Sequence, residues 1–148
     1  MDNNKVEISL VYKEDDQYKI EKVDALRHGD YYQMIAIPAF ANNVAFGDII
    51  SAEEEDGELF FEELIKSSGH SVIHVAILNP LIQKEITEKI QSFNVNINPL
   101  SEGKYLVIDI PTNISYPEIK NYLESEFDKK NIDYREACIS NQHKVFYN

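Results

Sequence analysis

Hydrophobic positions in the second half of the chain follow two periods, and each period predicts a different element. The run from Ser71 to Leu78 is β-branched and continuously apolar, as in a buried strand. Asn79 can cap a helix, and Pro80 suits a first helical turn. Apolar residues then recur at helical spacing, at Ile82, Ile86, Ile90 and Phe93. A buried strand followed by an amphipathic helix is therefore predicted.

The same alternation of strand and helix patterns continues towards the C-terminus. Residues 95–98 alternate like a short strand, and residues 104–110 form a second apolar strand. Ser115 and Glu118 have the spacing of a capping box, which predicts the start of a second helix. Residues 132–139 supply a last strand. The order β-α-β-β-α-β predicts a ferredoxin-like lobe, in which two helices cover one face of an antiparallel sheet.

The first half of the chain shows strand patterns without a clear helix. Residues 5–13 alternate at period two, and Asp56-Gly57 is a strong hairpin signal. Several short strands of this kind predict a small open β-barrel or sandwich. The fold class is thus α+β, with an all-β lobe over residues 1–69 and a ferredoxin-like α+β lobe over 70–148. We expect the two lobes to pack together, as one compact unit, with a joint near 67–69.

Charge is distributed unevenly along the chain. The formal net charge is −12. Residues 1–75 hold 16 acidic and 6 basic side chains, a net charge of −10, whereas residues 76–148 hold 10 and 8, a net charge of −2. Such a field disfavours nucleic acid and anionic membranes as partners and attracts a basic protein. The alternative reading is that the acidity only maintains solubility.

Composition narrows the class of protein further. Hydrophobic residues make up 43% and charged residues 27%, which is typical of a globular domain. No apolar run approaches the ~20 residues that cross a bilayer, and the first ten residues do not resemble a signal peptide. The single cysteine, Cys138, cannot form an internal disulfide, so a cytoplasmic location is expected. Walker, Rossmann and CxxC motifs are absent, and we expect no cofactor.

The side chains with catalytic or metal-binding potential do not form a recognisable motif. His70 and His74 could share a strand face, but no nearby acid or cysteine completes a metal site, so no metal is expected. Ser68-Gly69-His70-Ser71 lacks the G-x-S-x-G elbow of hydrolases and reads as a turn. Cys138 reads as a buried free thiol. We therefore expect no enzyme, and a hydrolase using His70 and a nearby serine remains a third hypothesis.

Seven acidic side chains lie between Gly47-Asp48 and Ser68-Gly69-His70-Ser71. A run of this kind is usually a solvated face, but it can also contact lysine and arginine side chains of a partner. Tyrosine combines a large ring with a polar tip and can anchor an interface. The predicted contact residues are Glu53, Glu54, Glu55, Asp56, Glu58 and Glu62, with Tyr31 and Tyr32 as anchors.

Residues 35–75 resemble a bacterial family of small proteins of unknown function. Its pattern includes Ile37-Pro38, Gly47-Asp48-Ile49-Ile50, an acidic Asp56-Gly57 hairpin and Ser68-Gly69-His70-Ser71 before an apolar strand. The family generally has an aromatic pair after the proline, whereas Ala39-Phe40 keeps one aromatic residue. The resemblance carries no catalytic residue.

Small acidic proteins of this kind look like immunity proteins of bacterial toxin systems, including contact-dependent inhibition. The resemblance thus implies a non-enzymatic immunity protein that binds the C-terminal domain of a cognate toxin and occludes its active cleft, and we expect this toxin to be a basic nuclease. The alternative is a regulatory module that binds a small molecule.

Overall fold

The computed structural model describes residues 4–144, which form nine strands and two α-helices. The first five strands are β1 (Lys5–Glu14), β2 (Gln17–His28), β3 (Tyr31–Met34), β4 (Ile49–Glu55) and β5 (Glu58–Lys66). The remaining strands are β6 (Ser71–Ile77), β7 (Asn96–Leu100), β8 (Tyr105–Ile110) and β9 (Ile132–Cys138). The helices are α1 (Gln83–Gln91) and α2 (Pro117–Asp128). The architecture is therefore α+β, as the sequence predicts.

Strands β1–β5 form a closed barrel, so the prediction of an open barrel or sandwich is wrong. Successive strands pair antiparallel, and an odd number of alternating strands leaves the first and last pointing the same way. β1 and β5 accordingly close the barrel as a parallel pair, with Ile8 opposite Leu59 and Ser9 opposite Phe60. Closure removes the exposed sheet edges that an open barrel would leave.

The predicted Asp56-Gly57 turn is present between β4 and β5. Asp56 has a φ of 53° and Gly57 a φ of 83°. Positive φ at both central residues is the geometry of a type I′ turn, whose twist matches that of the flanking strands. The acidic segment is therefore a tight hairpin tip.

Strands β6–β9 form a second, antiparallel sheet in the order β7-β8-β6-β9. Ile73, Val75 and Ile77 of β6 face the two helices, whose buried contacts include Ile86 and Leu123. The opposite face of the sheet carries Val72, Val107 and Ala137, which form a separate apolar cluster. Both faces of this sheet are thus covered.

The two helices begin differently from one another. The Asn79 side chain accepts a hydrogen bond from the Leu81 N–H, as predicted, and starts a 3₁₀ turn that leads into α1. The predicted capping box at Ser115 is wrong, because Tyr116 is the N-cap of α2 and makes no side-chain capping bond. Pro117 fixes the first helical position, and Tyr116 is buried in the core beneath it.

Residues 35–48 form an irregular segment between the barrel and the sheet. Ala41 and Val44 are buried in the barrel core, where they plug one end of the barrel. Ala45 is buried in the apolar cluster on the sheet. The segment therefore belongs to both cores and joins the two lobes.

The backbone of this segment is held by a carboxylate from the barrel. Glu21 lies opposite Leu10 near the plugged end. Its two oxygens accept hydrogen bonds from the N–H groups of Ala39 at 2.6 Å, Phe40 at 3.0 Å and Ala41 at 3.0 Å. Since a buried backbone donor without a partner is costly, this carboxylate permits the segment to remain irregular.

Substituting Glu21→Gln should lower the free energy of unfolding. The amide has one acceptor oxygen in place of two, and its NH₂ group would face a backbone donor. We expect a loss of about 1–3 kcal/mol in urea unfolding, because the lost hydrogen bonds involve a charged acceptor.

The matched control is Glu14→Gln, which removes a carboxylate from the exposed β1–β2 hairpin beside Lys19. It should change the free energy of unfolding by less than about 0.5 kcal/mol. Equal effects of the two substitutions would contradict a special role for Glu21.

Candidate functional site

Register places most of the predicted contact residues at one end of the barrel. Tyr32 pairs with Ile50, so β4 runs past the start of β3 towards its own hairpin tip. The turn between β2 and β3 and the tip at Asp56-Gly57 therefore project from the same end. This end lies opposite the one that residues 35–48 plug. We call the end that carries these two turns the barrel mouth.

Each of the five strands contributes one inward-facing side chain to the barrel mouth. Cross-strand partners share a face of a sheet, and Tyr32 and Leu59 both pack on the barrel core. Arg27 is the partner of Tyr32, and Glu54 is the partner of Leu59, so both charged residues face inward as well. The inward residues are Val6, Arg27, Tyr32, Glu54 and Leu59, and they line a cavity of about 380 Å³.

The cavity extends across the seam between β1 and β5, where only two residue pairs join the strands. Glu7, Ser9, Lys22 and Glu58 line this side. Lys22 Nζ lies 3.0 Å from Glu58 Oε1. The hydrogen bond to Glu58, and then the charge of that carboxylate, raise the pKa of Lys22. The pair is exposed to solvent, so it contributes little to stability.

The barrel mouth brings together only some of the predicted contact residues. Glu54, Glu58 and Tyr32 line the cavity. The other members of the hairpin, together with Tyr31, are exposed around it: Glu53, Glu55 and Asp56. Glu62 lies further along β5, where it accepts a hydrogen bond from the Ser51 hydroxyl at 3.1 Å.

Sequence reasoning missed the cations of the barrel mouth, Lys22 and Arg27. Their signal was available in the alternation of β2. Val23 and Ala25 are buried on the inward face, and Arg27 continues that series one step beyond the core. An inward position beyond the hydrophobic core, at the end of a strand, allows a charged side chain to face a cavity. The strand pattern in the sequence alone covers residues 18–23, so a prediction from it stops before Arg27.

The Ser68-Gly69-His70-Ser71 motif forms a structural junction with Asp48. Asp48 is buried and accepts hydrogen bonds from the N–H groups of Ala45 at 2.9 Å and Ser68 at 2.8 Å. The Ser68 hydroxyl donates to the Phe46 carbonyl at 2.6 Å. Gly69 has a φ of 88°, and a Cβ there would lie 2.6 Å from the Thr112 hydroxyl oxygen. The sequence motif therefore fixes the chain between β5 and β6.

His70 belongs to the same junction. Its Nδ1 lies 2.7 Å from Oδ1 of Asp109, and the other Asp109 oxygen accepts from the Asn96 side chain at 2.8 Å. Asp109 is buried within β8. Among residues 4–144, no serine hydroxyl is hydrogen-bonded to the His70 ring, so the structure does not assemble the nucleophile and base of the hydrolase hypothesis.

Ser71 instead pairs with His143. The Ser71 hydroxyl lies 2.6 Å from His143 Nδ1, and His143 Nε2 lies 3.0 Å from the Pro111 carbonyl, to which it donates. Both residues are buried, Ser71 completely. A substrate could not reach this hydroxyl in the observed arrangement. The contact fastens the segment after β9 to β6.

His74 connects the sheet to residues 35–48 and is not paired with His70. The guanidinium of Arg135 donates to His74 Nδ1 at 2.8 Å and to the Phe40 carbonyl at 2.6 Å. Nε2 therefore carries the proton and donates to the Pro38 carbonyl at 3.1 Å. Burial, aided by the charge of Arg135, lowers the pKa of His74. Within residues 4–144, no group of His, Cys, Asp and Glu is placed to hold a metal ion.

One protein-family model matches most of the chain. Residues 13–134 match the model of a family described as a domain of unknown function, DUF4265. The chain belongs to this family. The match covers most of both lobes, including the junction at Ser68–Ser71, but it begins after the residues of β1 that line the barrel mouth. The family description assigns no activity.

A solved structure has a similar fold. It is a crystal structure of a hypothetical protein from Neisseria gonorrhoeae, with 29% sequence identity and a TM-score of 0.83. The similarity covers 92% of this chain and 96% of that protein. No curated protein matches the sequence. Within the part of the chain that the structure describes, no helix is long and apolar enough to cross a membrane.

Stability should fall in acid partly because of His74. The native pKa of His74 lies below that of an unfolded histidine, about 6.5, so the unfolded chain binds the proton more readily. The contribution of neutral His74 to the free energy of unfolding is present above about pH 6.5 and is lost as the pH falls towards the native pKa. Urea unfolding of the wild type should show a steeper loss between about pH 7.5 and about pH 5 than unfolding of His74→Gln.

His28→Gln is the control for this experiment, because His28 is exposed at the end of β2. It should keep the wild-type dependence on pH. If the free energy of unfolding depended equally on pH in the wild type and in His74→Gln, the proposed difference in the pKa of His74 between folded and unfolded chain would be wrong.

Cys138 should react slowly with thiol reagents in the native protein. Burial, and then the charge of Asp48, raise the pKa of its thiol to about 11. At about pH 8 the reactive thiolate is then roughly a hundredfold rarer than for an ordinary cysteine. Labelling should become fast in denaturant, and fast labelling of the folded protein would contradict this assignment.

Proposed function

We propose that this chain is a non-enzymatic immunity protein that binds a basic toxin domain, a nuclease, through the barrel mouth. The observation that carries the proposal is the position of the acidic hairpin. Glu53, Glu55 and Asp56 project at an exposed tip beside the cavity that Glu54 and Tyr32 line. A partner with a basic cleft would meet charge and an aromatic side chain on one surface.

The balance of charge around the barrel supports this orientation. Residues 1–75 carry a net charge of −10 and contain the whole barrel, so the field is concentrated on this lobe. Such a field speeds the encounter with a basic partner and weakens as salt is added. A closed barrel also presents the hairpin on a fixed scaffold, which reduces the entropy lost on binding.

The C-terminal lobe then serves as the support of the binding lobe. We infer that it is a ferredoxin-like lobe, from its β-α-β-β-α-β order and from the strand order β7-β8-β6-β9. Its helices cover the far face of the sheet, away from residues 35–48. An intracellular site of action in the cytoplasm belongs to the same proposal.

A second candidate function is a regulatory module that binds a small molecule. It is favoured by the cavity of about 380 Å³ at the barrel mouth, which has the size of a ligand pocket. The two candidates differ in their partner, so a protein partner and a small ligand can be tested separately.

A tagged chain should capture one basic toxin domain from its source bacterium at low salt. With that domain in hand, the association rate should fall as salt increases, and Glu53→Lys with Glu55→Lys should slow association about tenfold or more. Surface plasmon resonance measures both effects. Both side chains are exposed and neither lines the cavity, so we expect the barrel to remain folded.

The control carries the same change of charge on the other lobe, Glu85→Lys with Glu88→Lys on α1. It should retain most of the association rate, because this helix lies away from the barrel. Capture of no basic partner would overturn the proposed function. Equal slowing of association by the two double variants would overturn the proposed site.

A further inference from the structure

We propose that the barrel mouth binds a zwitterionic ligand, a free amino acid or a short peptide. Its carboxylate would lie against Arg27 and its ammonium group against Glu54. This inference concerns a small ligand and goes beyond the binding of a toxin, so either proposal can stand without the other.

Opposite charges stand on separate walls of the cavity. Arg27 belongs to β2 and Glu54 to β4, with Tyr32 of β3 between them. Glu54 lies four residues beyond Ile50, the partner of Tyr32, so two strand spacings and this offset separate the two backbones by roughly 15 Å. Within residues 4–144, neither Arg27 nor Glu54 takes part in an ion pair. A ligand that carries both charges can satisfy both side chains at once.

The remaining charges of the cavity leave this pair available. Lys22 is already held by Glu58 at 3.0 Å across the β1–β5 seam. Glu7 adds a further carboxylate on the seam side. The cavity is therefore cationic only near Arg27, and the rest of its charged rim is neutralised or acidic. This arrangement orients a dipolar ligand with its carboxylate towards β2.

Tyr32 prepares Arg27 for a carboxylate. The guanidinium carbon of Arg27 lies 5.9 Å from the centre of the Tyr32 ring, over its face. Stacking restricts the guanidinium while its N–H groups remain able to form a paired hydrogen bond to a carboxylate. Lysine would not offer this planar geometry.

The floor of the cavity accepts an apolar side chain. Val6 and Leu59 are half-buried and pack on the barrel core beneath the charged rim. The volume of about 380 Å³ leaves room for a dipeptide as well as for one amino acid. The apolar floor and the two charged walls together favour a ligand such as leucine or leucyl-leucine.

Titration followed by NMR tests the assignment. Leucine or leucyl-leucine at about 10 mM, enough to saturate a site with a Kd of about 1 mM, should shift the amide signals of Ser9, Tyr32 and Gly57. Leucinamide lacks the carboxylate and N-acetyl-leucine lacks the ammonium group. Each blocked compound should bind about tenfold more weakly than leucine.

Variants test the two walls independently. Arg27→Gln and Glu54→Gln should each weaken binding of the zwitterion about tenfold. Lys13→Gln and Glu55→Gln are matched controls on the same lobe that do not line the cavity, and they should bind as the wild type does. The spectra themselves show whether each variant is folded.

Two results would overturn the proposal. One is the absence of shifts at the barrel mouth with both zwitterions. The other is binding that is unaffected by blocking either charge or by both cavity variants. Either result leaves the toxin proposal untouched, since that proposal is tested on Glu53 and Glu55 with a protein partner.

Discussion

The structure depends on satisfying the backbone of residues 35–48, an irregular segment placed between two cores. A partly buried segment without regular structure has no ladder of its own to pair its N–H and C=O groups. Glu21 accepts from three of these N–H groups, and Asp48 accepts from a fourth while also binding the chain at Ser68. The sheet donates from His74, Tyr105 and Arg135 to carbonyls of the same segment. Barrel and sheet are thereby joined by polar contacts around an apolar plug.

This plug makes the two ends of the barrel different. Ala41 and Val44 fill the end that faces the sheet, so the hydrophobic core is completed from that side. The opposite end has no such cover within residues 4–144, and its inward positions change from apolar to charged at Arg27 and Glu54. The barrel therefore has one end closed by apolar side chains and an opposite end where charged side chains line a cavity.

The residues that resemble a family pattern turn out to serve the fold. The β4–β5 hairpin separates Gly47-Asp48 from Ser68-Gly69-His70-Ser71 in the sequence. The two segments still meet at one junction, because Asp48 accepts a hydrogen bond from the Ser68 N–H. Gly69 adopts a positive φ, and its backbone lies too close to the Thr112 side chain to leave room for a Cβ. His70 contacts the buried Asp109. In this chain, Ser68-Gly69-His70-Ser71 is thus held by packing and hydrogen bonds that connect the two lobes.

The sequence by itself determined the elements whose signals are local. Helical spacing of isoleucines, the Asn79 cap and the Asp56-Gly57 turn all act over a few residues, and the structure contains each of them. Tertiary structure decided what depends on distant partners. Barrel closure needs β1 beside β5, and Tyr116 at the start of α2 is buried in a core built from distant strands. Arg27 and Glu54 line one cavity only because the barrel brings their strands together. Contacts between residues so far apart in the chain leave no periodic signal, because no local spacing encodes them.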